Sequence, residues 1–297
     1  MSKLKNTFKT DILFKLLFVK HPDLLQRLVA HLLRIKYVSI TQFEIRNQEM
    51  PPEVIGNKFC RLDIHMMVNE QQVNLEIQVE DEGDFPERAI FHWARIFSNA
   101  LPAGGKYSDL PRTIVISIVD FPLFNCIEFH SEYKALEVTR HEPLTDKMLF
   151  HFFELPKVSE DINEDIKRDD LLLLWLALFK ADTEEELLKI EALGVPELNQ
   201  AISAYHSVTA SSEFRELERL RAKARHDEAQ ALYHAEVKGE AKGRAEGRAE
   251  GRAEGMEKGK EEMAKEMAKK LLANGISLDI IAKSAGLPIE QIHNLIN

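Results

Sequence analysis

The stretch RLDIHMMVNEQQVNLEIQV, residues 61–79, alternates polar and apolar side chains on either side of the dipeptide Asn69-Glu70. Alternation with a period of two is typical of β-strands that have one buried face, and a polar dipeptide between two such runs is typical of a hairpin turn. The sequence therefore predicts strands from Phe59 to Val68 and from Val73 to Glu80, joined as a hairpin.

A two-residue turn in this hairpin would pair Val68 with Gln71 and place Asp63 opposite Glu76, with Gln78 on the same strand face as Glu76. Two facing carboxylates repel each other by a few tenths to ~1 kcal/mol unless a cation lies between them. Mg²⁺ takes one or two protein carboxylates and keeps several waters, so the spacing fits an oxygen-ligated divalent cation. A half-exposed hairpin with an acidic outer face explains the same spacing, and a one-residue slip would separate the two carboxylates.

The segments around the hairpin predict the order helix, strand, strand, strand, helix, strand, which is a mixed α/β domain. Apolar residues recur at helical spacing from Ile12 to Ile35, with a break near His21-Pro22 that separates two helices. Tyr37 to Arg46 is a candidate first strand, Asp84 to Leu101 has the helical pattern again, and the apolar run from Thr113 to Val119 predicts a buried strand.

The pattern changes in the second half of the chain. Cys126 to Val138 and Met148 to Leu155 predict two additional strands, and beyond Asp161 the pattern is helical, which places a boundary near residue 160. The predicted regions are an α/β domain over 1–160, a helical region over 161–237, and a repeat helix with a small helical association cap over 238–297.

The composition, with 44% hydrophobic and 30% charged residues in 297, is that of a globular protein and excludes wholesale disorder. The longest apolar run, Leu171 to Phe179, has nine residues, whereas a membrane-spanning helix needs about 20. Two cysteines, Cys60 and Cys126, are too few for a disulfide framework or a cysteine-rich zinc site. Since the N-terminus also lacks the apolar stretch of a signal peptide, we expect a cytoplasmic protein with no membrane span.

The net charge of -10 is unevenly distributed along the chain. Residues 1–40 carry a net charge of +6, whereas residues 141–220 carry -10. A basic region coexists with an acidic one, so the total charge does not exclude a nucleic acid as a partner. Ordinary solvated surface charge explains the same counts.

The succession of Asp63 and Glu76-Ile-Gln78 on consecutive strands, after a helix and before a helix and a buried strand, resembles the PD-(D/E)XK nuclease superfamily. More narrowly, the chain resembles the recombination-promoting nuclease (Rpn) and transposase-like family over residues 6–155. The segments that carry this resemblance are Asp11–Phe18, Leu62-Asp63-Ile64, Glu76-Ile-Gln78 and Tyr107–Pro111. It implies a restriction-endonuclease-like α/β core, with a mixed sheet flanked by helices, followed by a helical C-terminal extension.

The resemblance also implies metal-dependent DNA endonuclease activity, which in some members promotes recombination. Asp63 and Glu76 would ligate Mg²⁺, with Mn²⁺ or Ca²⁺ as alternatives, and Asp11 matches an additional acidic residue of the site. Gln78 stands where the superfamily pattern has a lysine. A neutral amide cannot supply that positive charge, which leaves the cation as the main electrophile.

Four basic residues are candidates for contacts with DNA phosphate: Lys15, Arg88, Arg95 and Lys106. Arg88 and Arg95 lie seven residues apart on one face of a predicted helix, and Lys106 follows a glycine pair. Solvated surface charge explains each of them singly, and Lys15 is also spaced for an ion pair with Asp11. His65 shares the strand face of Asp63, where it either supports the site or forms an ordinary hydrogen bond.

Glycine recurs every four residues from Gly239 to Gly259, between rows of arginine and glutamate. Each glycine costs a helix ~1 kcal/mol relative to alanine, so this segment is a poor helix alone, but a glycine row lets two helices approach closely. We expect a helical homo-oligomerisation segment, with a flexible linker as the alternative. At the level of function, the alternatives are a catalytically inactive, nuclease-like interaction protein acting through this helical tail, and a recombinase that also joins strands.

Overall fold

A computed structural model of the chain describes residues 3–46, 63–158 and 170–295. The chain forms two compact units, Met1–Arg225 and His226–Asn297. The boundary predicted near residue 160 falls inside the first unit, because the helices after residue 170 share a hydrophobic core with the sheet.

Six strands in the described part of the first unit form one mixed sheet in the order β1-β2-β3-β4-β6-β5. They are β1 (Phe43–Ile45), β2 (Ile64–Val68), β3 (Gln71–Gln78), β4 (Thr113–Val119), β5 (His130–Lys134) and β6 (Met148–Glu154). The β3–β4 and β4–β6 pairs are parallel, and the other pairs are antiparallel. Strand β4 is buried along its whole length, as its apolar sequence predicts.

The helices surround this sheet. In the described part of the first unit they are α1 (Asp11–Lys20), α2 (Pro22–Leu32), α3 (Phe85–Asn99), α4 (Leu171–Lys180), α5 (Glu184–Glu191), α6 (Pro196–Ala210) and the beginning of α7 (Ser212–Ala273). The predicted break between the first two helices is confirmed, since His21 ends α1 and Pro22 is the first residue of α2. Proline suits that position because the first turn of a helix leaves its N–H groups unpaired.

The predicted hairpin is confirmed, and its register is the one that a two-residue turn imposes. Val68 pairs with Gln71 and Ile64 pairs with Leu75. Asn69 occupies the left-handed region, with φ 53°, and its side-chain Oδ1 accepts hydrogen bonds from the backbone N–H groups of Thr41 and Gln42. Asparagine tolerates this conformation better than most residues, which favours the tight turn. The predicted beginning of the first strand, residues 59–62, lies outside the described residues.

Two predicted strands are shorter than the sequence indicated. In place of one strand from Tyr37 to Arg46, a 3₁₀ turn occupies Tyr37–Ser39 and the strand covers only Phe43–Ile45. In that turn, the ring of Tyr37 packs under the guanidinium of Arg27 on α2, 4.6 Å away. The prediction of a strand from Cys126 to Val138 is likewise wrong at both ends, because only His130–Lys134 pair with β6.

One face of the sheet carries the main hydrophobic core, which is covered by α1, α2, α4 and α6. The fully buried Trp175 and Phe179 of α4 contact Phe18 of α1, with ring centroids 6.1 and 6.3 Å away. On the other face, α3 covers β4 and β6 through aromatic residues, and the indole N–H of Trp93 donates to the carbonyl of Thr113 at 3.0 Å. The β2–β3 half of that second face carries polar side chains instead.

The second unit contains the rest of α7, followed by α8 (Leu278–Ala285) and α9 (Ile289–His293). A small core of Ala268, Ile281, Leu287 and Ile292 holds the three helices together. The residues from Met263 to Leu272 are the end of α7 and not a separate short helix, because no break precedes Gly275. Within the described residues, no helix is both long enough and apolar enough to cross a membrane.

Glu197 at the beginning of α6 links three helices of the main core. Its Oε1 accepts a hydrogen bond from the Trp175 indole N–H at 2.9 Å and lies 2.9 Å from His31 Nε2. Burial alone would raise the pKa of Glu197, but these two contacts and the charge of Arg27 lower it overall. The ionised carboxylate therefore stabilises the packing of α2, α4 and α6.

We predict that Glu197→Gln makes the stability of the protein less dependent on pH. A carboxylate whose pKa is lowered by folding contributes its full stability above the unfolded value of 4.5 and loses it as the pH falls through the native pKa. Between about pH 6 and about pH 3, the free energy of unfolding measured in urea should decrease less for Glu197→Gln than for the parent. The exposed Glu191→Gln serves as the control, and equal pH slopes in all three proteins would contradict the prediction.

Candidate active site

The polar half of the second sheet face is built from alternate residues of the hairpin. Ile64, Met66 and Leu75 point into the main core, so their neighbours along the strands point to the opposite face. The polar residues on that face are Asp63, His65, Gln72, Asn74, Glu76 and Gln78. The alternation read from the sequence therefore places Asp63, Glu76 and Gln78 on one side of the sheet.

Glu76 lies in the interior of the sheet with only 6% of its surface exposed. The residue beside it on the parallel strand β4 is Ser117, whose hydroxyl donates a hydrogen bond of 2.8 Å to Glu76 Oε1. Asp63 directly precedes β2 and is half-buried. The observed register ends at the Ile64–Leu75 pair, and Asp63 and Glu76 are the next residue on each side of it. We call these two residues the carboxylate pair.

The residues around the carboxylate pair fit a divalent cation that binds oxygen. Asn74, two residues before Glu76 on the same strand face, is 1% exposed, and neither atom of its side-chain amide has a hydrogen-bond partner. A buried polar group without a partner lowers the free energy of unfolding by ~1–3 kcal/mol. A polar surface in an otherwise packed sheet therefore destabilises the fold. No three His, Cys, Asp or Glu side chains converge among the described residues, so a cation would rest on two carboxylates and water, as Mg²⁺ commonly does.

Gln78 ends β3 and is anchored at the strand end. Its side-chain Nε2 donates to the carbonyl of Glu80 at 3.0 Å, and its own carbonyl accepts from the backbone N–H of Asp120 at 2.9 Å. Lys9 lies near this end of the sheet, with its Nζ 2.8 Å from the carboxylate of Asp120 and 3.0 Å from that of Asp182. Its charge is committed to these two carboxylates. No sequence signal distinguished it from the other basic residues of the N-terminus.

Asp11 is positioned by α1 and not by the hairpin. Its Oδ2 lies 3.0 Å from Arg221 Nη2, near the beginning of α7, and its Oδ1 accepts from the backbone N–H of Ile12. Helix α1 packs on the main core, which is the sheet face opposite to the carboxylate pair. The part that Asp11 takes in the site stays a prediction.

The four basic residues proposed for phosphate contact differ in exposure. Arg95 and Lys106 are exposed, as a contact with DNA requires. Lys15 is only 4% exposed. The Arg88 side chain is 9% exposed and lies 2.6 Å from Glu82 Oε2, although its Nε and Nη2 have no hydrogen-bond partner. The structure therefore presents two of the four basic groups to solvent.

His65 makes an ordinary hydrogen bond within the hairpin, one of its two expected roles. Its Nε2 lies 3.0 Å from the Gln72 Oε1 on the neighbouring strand. Burial lowers the pKa of His65, which favours the neutral imidazole.

Comparison with known proteins identifies one family. The family model described as PD-(D/E)XK nuclease family transposase matches residues 8–235, which contain all six strands and the carboxylate pair. No curated protein and no solved structure matches the chain.

We predict that Asn74→Leu raises the melting temperature of the metal-free protein. Leucine has nearly the shape of asparagine and removes two buried atoms that lack partners, a gain of ~1–3 kcal/mol. If the amide belongs to a polar cation site, the same variant should bind Mn²⁺ more weakly than the parent. Thermal unfolding and Mn²⁺ titration check both effects. A lower melting temperature would show that the amide stabilises the fold.

Proposed function

Because the chain belongs to the PD-(D/E)XK nuclease family transposases, we propose that it is a divalent-metal-dependent DNA endonuclease that hydrolyses phosphodiester bonds and promotes DNA recombination. Family membership supports a nuclease-like activity on nucleic acid. The observation that supports the finer proposal is the buried carboxylate of Glu76, which accepts a hydrogen bond from Ser117 and follows Leu75, the hairpin residue that pairs with Ile64, the neighbour of Asp63. A buried carboxylate beside a second one is costly unless a cation joins them.

In this proposal Asp63 and Glu76 bind the cation, and Ser117 keeps one Glu76 oxygen in place. When bound, Mg²⁺ or Mn²⁺ supplies a Lewis acid for the phosphoryl oxygen and lowers the pKa of the attacking water. Gln78, anchored at Glu80, presents an amide that orients water or phosphate by hydrogen bonding. It carries no charge, so no side chain at this position stabilises the phosphorane directly. The reaction needs no covalent intermediate with the protein.

Contacts with the DNA backbone are assigned to the exposed basic residues. Arg95 and Lys106 can reach phosphate without losing an existing ion pair among the described residues. The Arg88 side chain is 9% exposed, so it would have to leave both Glu82 and its buried position before it could reach phosphate. Such contacts position a duplex without reading its sequence. We also propose that the protein is cytoplasmic.

We propose homo-oligomerisation through the glycine row of α7. The row is helical from Gly239 to Gly259 and exposed as far as Gly255, and a Cβ added at any of its glycines meets nothing within 4 Å. A helix with this many glycines is weak alone, so a second helix packed on the row would compensate for the lost propensity.

We predict that Asp63→Asn and Glu76→Gln each reduce cleavage of supercoiled plasmid by at least ~100-fold in Mg²⁺ or Mn²⁺, because each removes a charged ligand. Glu70→Gln, an exposed acidic residue in the turn of the same hairpin, is the matched control and should cleave like the parent. Nicked and linear products are measured on gels with variants confirmed as folded. Undiminished cleavage by both site variants would refute the site, and an inactive parent would favour the interaction protein.

We predict that the double substitution Gly247→Ala and Gly251→Ala weakens self-association by ~10-fold or more while raising the helix content. Alanine favours a helix by ~1 kcal/mol per residue, but two methyl groups in a close helix interface overpack it. Sedimentation and circular dichroism measure the two effects separately. A variant that is more helical and associates like the parent would show that the glycine row is not the interface.

A further inference from the structure

Ser117 is a polar residue in the middle of a strand that is otherwise built for burial. Strand β4 reads Thr-Ile-Val-Ile-Ser-Ile-Val, every residue of it is buried, and Ser117 has 0% of its surface exposed. A hydroxyl in such a place is costly unless it is hydrogen-bonded. Its partner is Glu76 Oε1, at 2.8 Å on the neighbouring strand.

The sheet holds this contact rigidly. Ser117 pairs with Glu76 on one side and with Phe152 on the other, both in parallel ladders that continue for seven residues. Neither strand can shift without breaking these ladders, and a shift of one residue would turn the side chains to the other face. The Glu76 carboxylate is therefore fixed at Oε1 before any ligand arrives.

We infer that Ser117 is a positioning residue that makes Glu76 a ligand through one oxygen, Oε2, and thereby favours a small octahedral cation such as Mg²⁺ over Ca²⁺. This inference rests on the proposed metal site of Asp63 and Glu76. The residue that selects the cation would then lie on β4, outside the hairpin that carries the motif residues.

The chemistry of the two cations gives the reason. Ca²⁺ accepts six to eight oxygens and often takes both oxygens of one carboxylate, whereas Mg²⁺ requires near-octahedral geometry and dehydrates reluctantly. A carboxylate oxygen that already accepts a hydrogen bond from a fixed donor is a poorer second ligand. The Ser117 hydroxyl therefore opposes binding through both oxygens, and this lowers the affinity for Ca²⁺ more than the affinity for Mg²⁺.

A purely structural hydroxyl would behave differently. If Ser117 only satisfied the buried carboxylate, its removal would weaken both cations by a similar factor. If it fixes the mode of binding, its removal frees Oε1 and changes the ratio of the two affinities. The ratio is measured on one protein sample, so partial destabilisation cancels from it.

The test is the binding of Mg²⁺ and Ca²⁺ to the full-length protein, measured by displacement of Mn²⁺ with electron paramagnetic resonance of the free ion. In Ser117→Ala we expect Mg²⁺ to bind ~10-fold more weakly and the Kd ratio of Ca²⁺ to Mg²⁺ to fall by ~10-fold. Thr113→Val is the matched control, because Thr113 is also buried, lies on the same face of β4, and bonds through its hydroxyl to Pro111 and not to a carboxylate. It should leave the ratio unchanged.

An unchanged ratio in Ser117→Ala, with or without a common loss of affinity, overturns the inference and leaves the metal site standing. A parent whose Mn²⁺ affinity is insensitive to Glu76→Gln, or that binds no Mn²⁺, overturns the proposed metal site and this inference together. Should Ser117→Ala fail to fold, Ser117→Cys keeps the size of the side chain with a weaker donor. Its ratio should then fall in the same direction by a smaller factor, and a parental ratio would count against the inference.

Discussion

The tight turn at Asn69-Glu70 is the constraint on which the rest of the site depends. It sets the register of β2 against β3, and the register decides which side chains of the hairpin enter the core and which form the polar face. Asn69 stabilises the turn twice, by adopting a positive φ and by bonding the segment before β1. A slip of one residue would exchange the two faces and separate Asp63 from Glu76.

The sheet that contains this hairpin combines two different surfaces. One face is mainly apolar and packs on α1, α2, α4 and α6, and the β4–β6 half of the other face is mainly apolar beneath α3. The remaining half buries the polar side chains of Asn74 and Glu76, whose burial costs more free energy than that of apolar side chains. Proteins retain such costly groups where function requires them, which supports the proposed cation site.

The absence of a lysine at Gln78 changes how charge is distributed in the site. Among the described residues, Lys9 pairs with Asp120 and Asp182, and Arg88 contacts Glu82. In the proposed reaction, the stabilisation of negative charge on the phosphoryl group depends on the cation and on how its carboxylate ligands are held. Ser117 contributes to this stabilisation indirectly, because its hydrogen bond holds one of those ligands.

The sequence by itself determined the elements whose pattern is local: the hairpin and its register, the helix break at His21-Pro22, and the buried strand β4. Local periodicity suffices there, because each residue's face follows from its neighbours in the chain. It overestimated the strands around Tyr37 and Cys126, since pairing requires a partner strand at the right distance. Only the tertiary structure showed that Ser117 meets Glu76, that Arg221 meets Asp11, and that Lys15 is buried. These contacts join residues that are distant in sequence, and no single-chain periodicity encodes which strand or helix lies beside another.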